Sequence, residues 1–282
     1  MFKILRNVIK LLILIVIVFS LFYIFSNKKP SLDRNWSEDA KILPDITITD
    51  NTVDVKNLRD WRYGNGAVLT RDYYDESYNL EKITKAYFLV NPFGKWEGVG
   101  HTFFLFEFSD GNSVAVSVEA RREDGVEYSA IKGLFNKYEM WYAWGSAADL
   151  LSKRAIYSNE DLYMYPLLIK PETARGLFMD LAKATVGLET RPEFYNTIMS
   201  NCTNVLADSA NRVNKGSIPW NFARIFTGFA DDKLYDLKLI PHDKPFDQIN
   251  QEARIDEKIR GIFNENPKVD RWGFIQLLGL TN

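Results

Sequence analysis

The sequence predicts an α+β fold in which an antiparallel sheet packs on a helix carrying the chain's single cysteine, behind an N-terminal transmembrane helix. Three observations predict the folded part. Residues 98–123 alternate with period two on both sides of a turn, residues 172–188 repeat with helical spacing, and a capped helix start falls at Cys202.

From the amino terminus, residues 11–25 form an almost unbroken Leu/Ile/Val/Phe run, with Lys3, Arg6 and Lys10 before it and Lys28 and Lys29 after it. Counted from Val8 the run is about 18 residues, roughly 27 Å as a helix, which is enough to span a bilayer. No small-x-small cleavage site follows, so residues 1–29 are expected to be an uncleaved transmembrane anchor. The short acid-free N-terminus then stays cytoplasmic. This makes the chain single-pass in the inner membrane with its main domain periplasmic. Residues 30–44 are polar and irregular and read as a linker. The domain is expected over residues 45–245, with 246–282 as a C-terminal extension packing on it.

Charge limits the partners. The five cations of residues 1–29 leave 30 basic against 37 acidic residues outside, a net of −7, so no nucleic-acid partner is expected. No paired-cysteine pattern, HExxH or phosphate-binding glycine loop is present, and two histidines are too few for a histidine-rich centre; no metal and no cofactor is expected.

Residues 45–55 alternate around Asp50-Asn51, residues 85–90 form a short apolar strand, and residues 162–169 form another that ends at Lys170-Pro171. The richest stretch is the hairpin. Ser109-Asp110-Gly111 suits a three-residue loop with Gly111 left-handed, which pairs Phe108 with Asn112 and sets His101 opposite Glu119. The same register puts Val114, Val116 and Val118 on the phenylalanine face, whereas a one-residue slip would mix them with His101 and Glu107. A histidine and a carboxylate with Cβ atoms roughly 5 Å apart form a base and its orienting partner, or else a surface cross-strand pair.

Cys202 opens a helix. Ser200 or Asn201 can cap it, Cys202, Val205, Leu206, Ser209 and Val213 share one face, and Gly216 and Pro219 end it. An exported protein uses cysteines in pairs, so one thiol is either a buried apolar residue or a nucleophile. In a first helical turn the dipole, and a nearby imidazolium still more, lower a thiol's pKa from about 8.5.

The segments GHTFFLFEF, SVEARRED, GLFNKYEMWY, LYMYPL, RPEFYNTIMSNCTN and IPWNFARIFTGFADDKLYDLKLI together resemble the Lnb N-terminal periplasmic domain family over residues 60–240. The resemblance implies a circularly permuted papain or NlpC/P60-like fold, in which the histidine strand precedes the cysteine helix, and it implies His101 and Cys202 as the catalytic pair. Glu119 is added from the hairpin register. The family's acyltransferase is larger, with a membrane-embedded C-terminal portion, where this chain has residues 246–282.

The expected function is therefore a thiol-dependent acyltransferase resembling lipoprotein N-acyltransferase. A phospholipid would be its acyl donor and a lipoprotein or peptide amine its acceptor. A cysteine peptidase or amidase acting on envelope peptides, and a non-catalytic binding module of the same fold, are the alternatives. For the oxyanion the candidates are the Cys202 backbone N–H and the side chains of Asn201 and Asn196. Arg121 and Arg122 are candidates for a phosphate or carboxylate headgroup, against a solvated strand end. Tyr138, Trp141, Tyr142 and Trp144 read as core-packing aromatics of a helix or as an acyl groove. His242 is a competing base in a surface loop.

Overall fold

The computed structural model describes residues 2–26, 28–94 and 96–280. A terminal helix, α1 (Phe2–Ser26), precedes strands β1 (Asp45–Thr49), β2 (Thr52–Gly64), β3 (Ala67–Asn79), β4 (Ile83–Pro92), β5 (Gly100–Phe108) and β6 (Ser113–Arg121). Short α2 (Ala130–Leu134), β7 (Tyr138–Gly145) and α3 (Ala147–Ser152) follow, and α3 runs into a π-helical turn over Lys153–Tyr157. Then come β8 (Tyr163–Pro166), α4 (Pro171–Thr190), β9 (Phe194–Tyr195) and α5 (Cys202–Val213). The chain finishes with α6 (Ala230–Asp236), α7 (Phe246–Ala253), α8 (Asp256–Glu265) and α9 (Arg271–Leu278).

The α+β class holds, and two parts of the expectation need correction. The sheet is mixed rather than antiparallel: its spine runs β1-β2-β7-β6-β5-β4-β8, and β2 meets β7 in parallel at Arg59↔Gly145. The transmembrane helix is not supported either, because among the described residues no helix is long and apolar enough to cross a membrane. The single-pass inner-membrane placement is therefore not supported by the described residues, and the permuted papain-like assignment reduces to an α+β domain with a mixed sheet.

The hairpin register is as the turn chemistry requires. Phe103 faces Ser117 and Glu107 faces Ser113, Phe108 N–H donates to Asn112 O at 2.9 Å, and Gly111 takes φ +85°. Both faces of the sheet are covered, so every residue of β5 is buried. On one face Phe104, Phe106, Val114 and Val116 meet α4 and α5, where the Phe178 ring lies 5.1 Å from Phe106 and 5.2 Å from Trp144. On the other, Phe103, Leu105 and Ala115 meet α3, α8 and α9 through Leu151, Ile259 and Phe274. Residues 30–44 lie against the domain: Trp36 and Ala40 are buried, and Ser37 N–H donates to Arg122 O at 2.9 Å.

The aromatic run from Tyr138 to Trp144 is strand β7, not a helix. All eight of its residues are buried, since α4 and α5 cover the face of Trp144 while Ala40 and Leu43 pack on Trp141 and Ala143, and the alternation that marks a half-exposed strand is lost.

Candidate active site

Strand β5 begins at Gly100, and its second residue, His101, projects with Phe103 and Ser117 toward the α3 side of the sheet. Helix α5 lies on the opposite side and starts at Cys202 beside the same strand end. The Asn201 side chain accepts the Asn204 N–H at 2.8 Å and so fixes where that helix begins. The Thr102 hydroxyl lies 2.9 Å from Thr203 Oγ1, which ties β5 to the first turn of α5 beside the cysteine.

Behind the imidazole stands a relay. His101 Nε2 is 2.6 Å from Ser117 Oγ, Ser117 donates onward to Glu119 Oε1 at 2.8 Å, and Nε2 is 3.3 Å from that carboxylate directly. With Nε2 engaged there, Nδ1 is the ring nitrogen left for the thiol. Arg154, from the π-helical turn, holds Glu119 Oε1 at 2.5 Å. Next to it, Lys153 pairs with Asp39 at 3.0 Å.

The electrostatics follow from this packing. Burial pushes the Cys202 thiol up, but the His101 imidazolium and the Thr102 donors more than offset it and bring the pKa down to about 7. Burial opposes charge on His101 as well, yet Glu119 and the Cys202 thiolate together outweigh it and raise the imidazole above its ordinary value. Glu119 is pushed up by burial and held well below the carboxylate range by Arg154 and His101. Thiolate and imidazolium are therefore favoured together around neutrality.

A cleft of about 560 Å³ opens beside these groups, lined among others by His101, Glu119, Arg154, Tyr195, Asn201 and Trp96. The sulfur sits just behind that wall at 1 % exposure. Burial raises the Tyr195 phenol well above its ordinary range, and the Cys202 backbone N–H works against that rise. A comparable cavity of about 530 Å³ on the far side of α5 is lined by Leu206, Ala207 and Ala210 and reaches none of the titratable groups above.

The remaining expected residues fall elsewhere. Arg121 does not face the cleft: it is buried, donates to Ala40 O at 3.0 Å and lies over the Trp36 ring at 4.1 Å, while Arg122 is the arginine that lines the cleft. Asn196 is a loop brace whose Nδ2 donates to Leu134 O and Asn136 Oδ1 and whose Oδ1 accepts from the Ile198 and Met199 N–H groups. The amide nitrogen of Asn201 is spent on Thr197 O and Arg224 O, both at 2.9 Å. His242 donates to Ile240 O in an exposed loop. Ser117 and Arg154 were not among the expected residues. The first was within reach of the hairpin register, one diagonal step from His101; the second has no local signal, because only the tertiary packing of α3 brings it to Glu119.

The family model for the Lnb N-terminal periplasmic domain matches residues 70–227, a stretch that contains His101, Ser117, Glu119, Arg154 and Cys202. No match was found among curated proteins or among solved structures. With more than half of its 282 residues matched, the chain belongs to the Lnb N-terminal periplasmic domain family.

Proposed function

We propose that this chain is a periplasmic thiol-dependent acyltransferase with Cys202 as its nucleophile. The observation that carries the reading is the relay His101, Ser117, Glu119, Arg154 beside the buried Cys202, with His101, Glu119 and Arg154 lining a cleft. The Cys202 thiolate attacks an ester carbonyl, and the carbon–oxygen bond to the leaving alcohol breaks as His101 supplies the alcohol's proton. An amine then attacks the resulting thioester, His101 takes the amine's proton, and the thiolate departs. Glu119 holds the imidazole in orientation throughout and favours its charged form before acyl transfer to the thiol. A phospholipid is the proposed donor and a lipoprotein or peptide amine the acceptor. Access requires Tyr128 and Tyr195, which line the cleft while Cys202 is buried, to swing aside as substrate enters.

The polar end of the cleft, with Asp39, Arg122, Lys153 and Glu160, favours a second reading in which water takes the acyl group and the substrate is an envelope peptide. The two readings share the thiol and differ in the acceptor.

The test is alkylation of Cys202 by iodoacetamide across pH, followed by incubation with phospholipid or with muropeptides. The rate should rise through about pH 7 in the native chain. In His101→Ala, burial is opposed only by the Thr102 donors, and labelling at pH 7 should drop roughly tenfold or more, the effect of at least one pKa unit. A hydroxylamine-labile fatty-acyl adduct on Cys202 supports transfer from lipid, and released stem peptides support the hydrolase. Identical pH profiles in both proteins would remove the thiolate–imidazolium pair and both readings with it.

A further inference from the structure

Around the mouth of the cleft, four loops present large apolar side chains to solvent: Trp96 after β4, Ile131 on α2, Ile198 and Met199 before α5, and Trp220 and Phe222 after it. Met199 is 77 % exposed and Phe222 70 %. These side chains belong to the cleft, since Trp96, Ile131 and Ile198 line it directly and Phe222 stacks on the lining residue Phe226.

The collar is built to stay open. Asn196 ties the loop before α5 to Leu134 O, Thr197 ties it to Ala130 O at 2.7 Å, and Asn201 ties it to Arg224 O. The loop after β4 is laced to residues 227–228, with Gly100 N–H donating to Thr227 Oγ1 at 3.0 Å and Gly228 N–H to Gly98 O at 3.2 Å. Gly228 is required there, because a Cβ would meet Glu97 O at 1.9 Å. Hydrogen bonds thus hold apolar tips outward that could otherwise collapse onto one another. A contiguous exposed patch of this kind on a folded protein marks an interaction surface.

Its chemistry points to one occupant. Residues 130–137, 194–201 and 217–229 contain no Asp or Glu and carry Lys132 and Lys137, with Arg224 buried against Asp208, and the loop after β4 adds one acid, Glu97, in a chain whose residues beyond 29 carry a net −7. Trp, Phe, Ile and Met on a rim with a single acid suit the headgroup boundary of a bilayer, where aromatic rings settle and anionic lipid favours cations. The described apolar side chains of α1, Ile4 and Phe19 among them, are exposed as well, and Lys28 lies beside this rim, its Nζ donating to Phe135 O at 3.4 Å.

We infer that this collar docks the cleft mouth onto a phospholipid surface. The inference rests on the acyl-transfer reading and deepens it, since the lipid substrate would then enter the site from the surface on which the collar lies. The test uses the full chain with phosphatidylethanolamine/phosphatidylglycerol vesicles in which part of the lipid carries brominated acyl chains. Bromine quenches tryptophan only where the ring enters the bilayer. The expected result is quenching with a blue shift in the native chain, its loss in Trp96→Phe/Trp220→Phe, and its retention in Trp272→Phe. Met199→Ser/Phe222→Ser, which alters only exposed side chains, should lose it too. Vesicle-bound protein with Trp96 and Trp220 unquenched overturns the inference, since α1 alone would then account for binding. A dimer in solution abolished by Phe222→Ser also overturns it, by giving the collar to a second copy. Iodoacetamide labelling of Cys202 without lipid is read on the same samples. Quenching without thiol chemistry leaves the docking surface and retires acyl transfer; reactive thiol without quenching does the reverse.

Discussion

Two arginine–carboxylate pairs lie on the same side of the sheet and do different work. Arg59 and Asp149 are closed off at 3 % and 0 % side-chain exposure, joined by two bonds of 2.7 and 3.0 Å. Asp149 also accepts from the Tyr63 hydroxyl and the Trp61 N–H, both at 2.9 Å. Each oxygen therefore ends on a group that pins α3 to β2. Arg154 and Glu119, at 15 % and 19 %, share a cleft wall, and their chain of contacts ends on an imidazole that faces a thiol. A buried ion pair thus says little about function by itself. What distinguishes the second is a titratable group at its open end.

The largest effect should come from the closed pair. Asp149→Asn leaves Arg59 buried without its counter-charge, which typically costs about 3–5 kcal/mol. Urea unfolding should register that loss, while the pH dependence of Cys202 alkylation in the folded protein stays as in the native chain. A moved pH profile with unchanged stability would erase the distinction between the pairs.

Arg154→Gln should act in the opposite way. The pair is partly solvated, so its removal should cost about 1 kcal/mol of stability. The signal lies in the pH profile. Arg154 disfavours charge on His101, so removing it raises the imidazole's pKa further, provided Glu119 stays ionised beside the imidazolium. Imidazolium should then persist to higher pH and the limb on which it is lost should move up. A downward move would mean that Arg154 acts chiefly by holding Glu119 in place, and that without it the carboxylate turns away from the ring.

The open pair also shows where sequence reading stopped. The His101–Glu119 register was legible because a left-handed glycine and a two-faced strand each fix it independently. The cap of α5 was legible because Asn201 does local work. Arg121 was misread because residues 30–44 were taken for a tether, whereas Trp36 and Ala40 fold back over the end of β6 and cover it. Strand β7 was misread because complete burial erases alternation. Asn196 was misread because its spacing from Cys202 suggested an oxyanion donor, and the side chain closes its own turn instead. Arg154 left no trace in local pattern, since a π-helical turn re-aims it across the sheet.

Ser117→Ala asks for the smallest change and divides the relay from the ion contact. The hydroxyl accepts from Nε2 at 2.6 Å and donates to Glu119 at 2.8 Å, while the direct His101–Glu119 distance is 3.3 Å. The carboxylate's charge survives the substitution, so the raised imidazole pKa should survive with it. What is lost is orientation, one hydrogen bond worth about 1 kcal/mol, and alkylation at pH 7 should fall about fivefold with the pH midpoints in place. A loss as deep as that of His101→Ala would make Ser117 the essential partner of the base. An unchanged rate would assign all of the orientation to Glu119 and make the hydroxyl a spacer between strands.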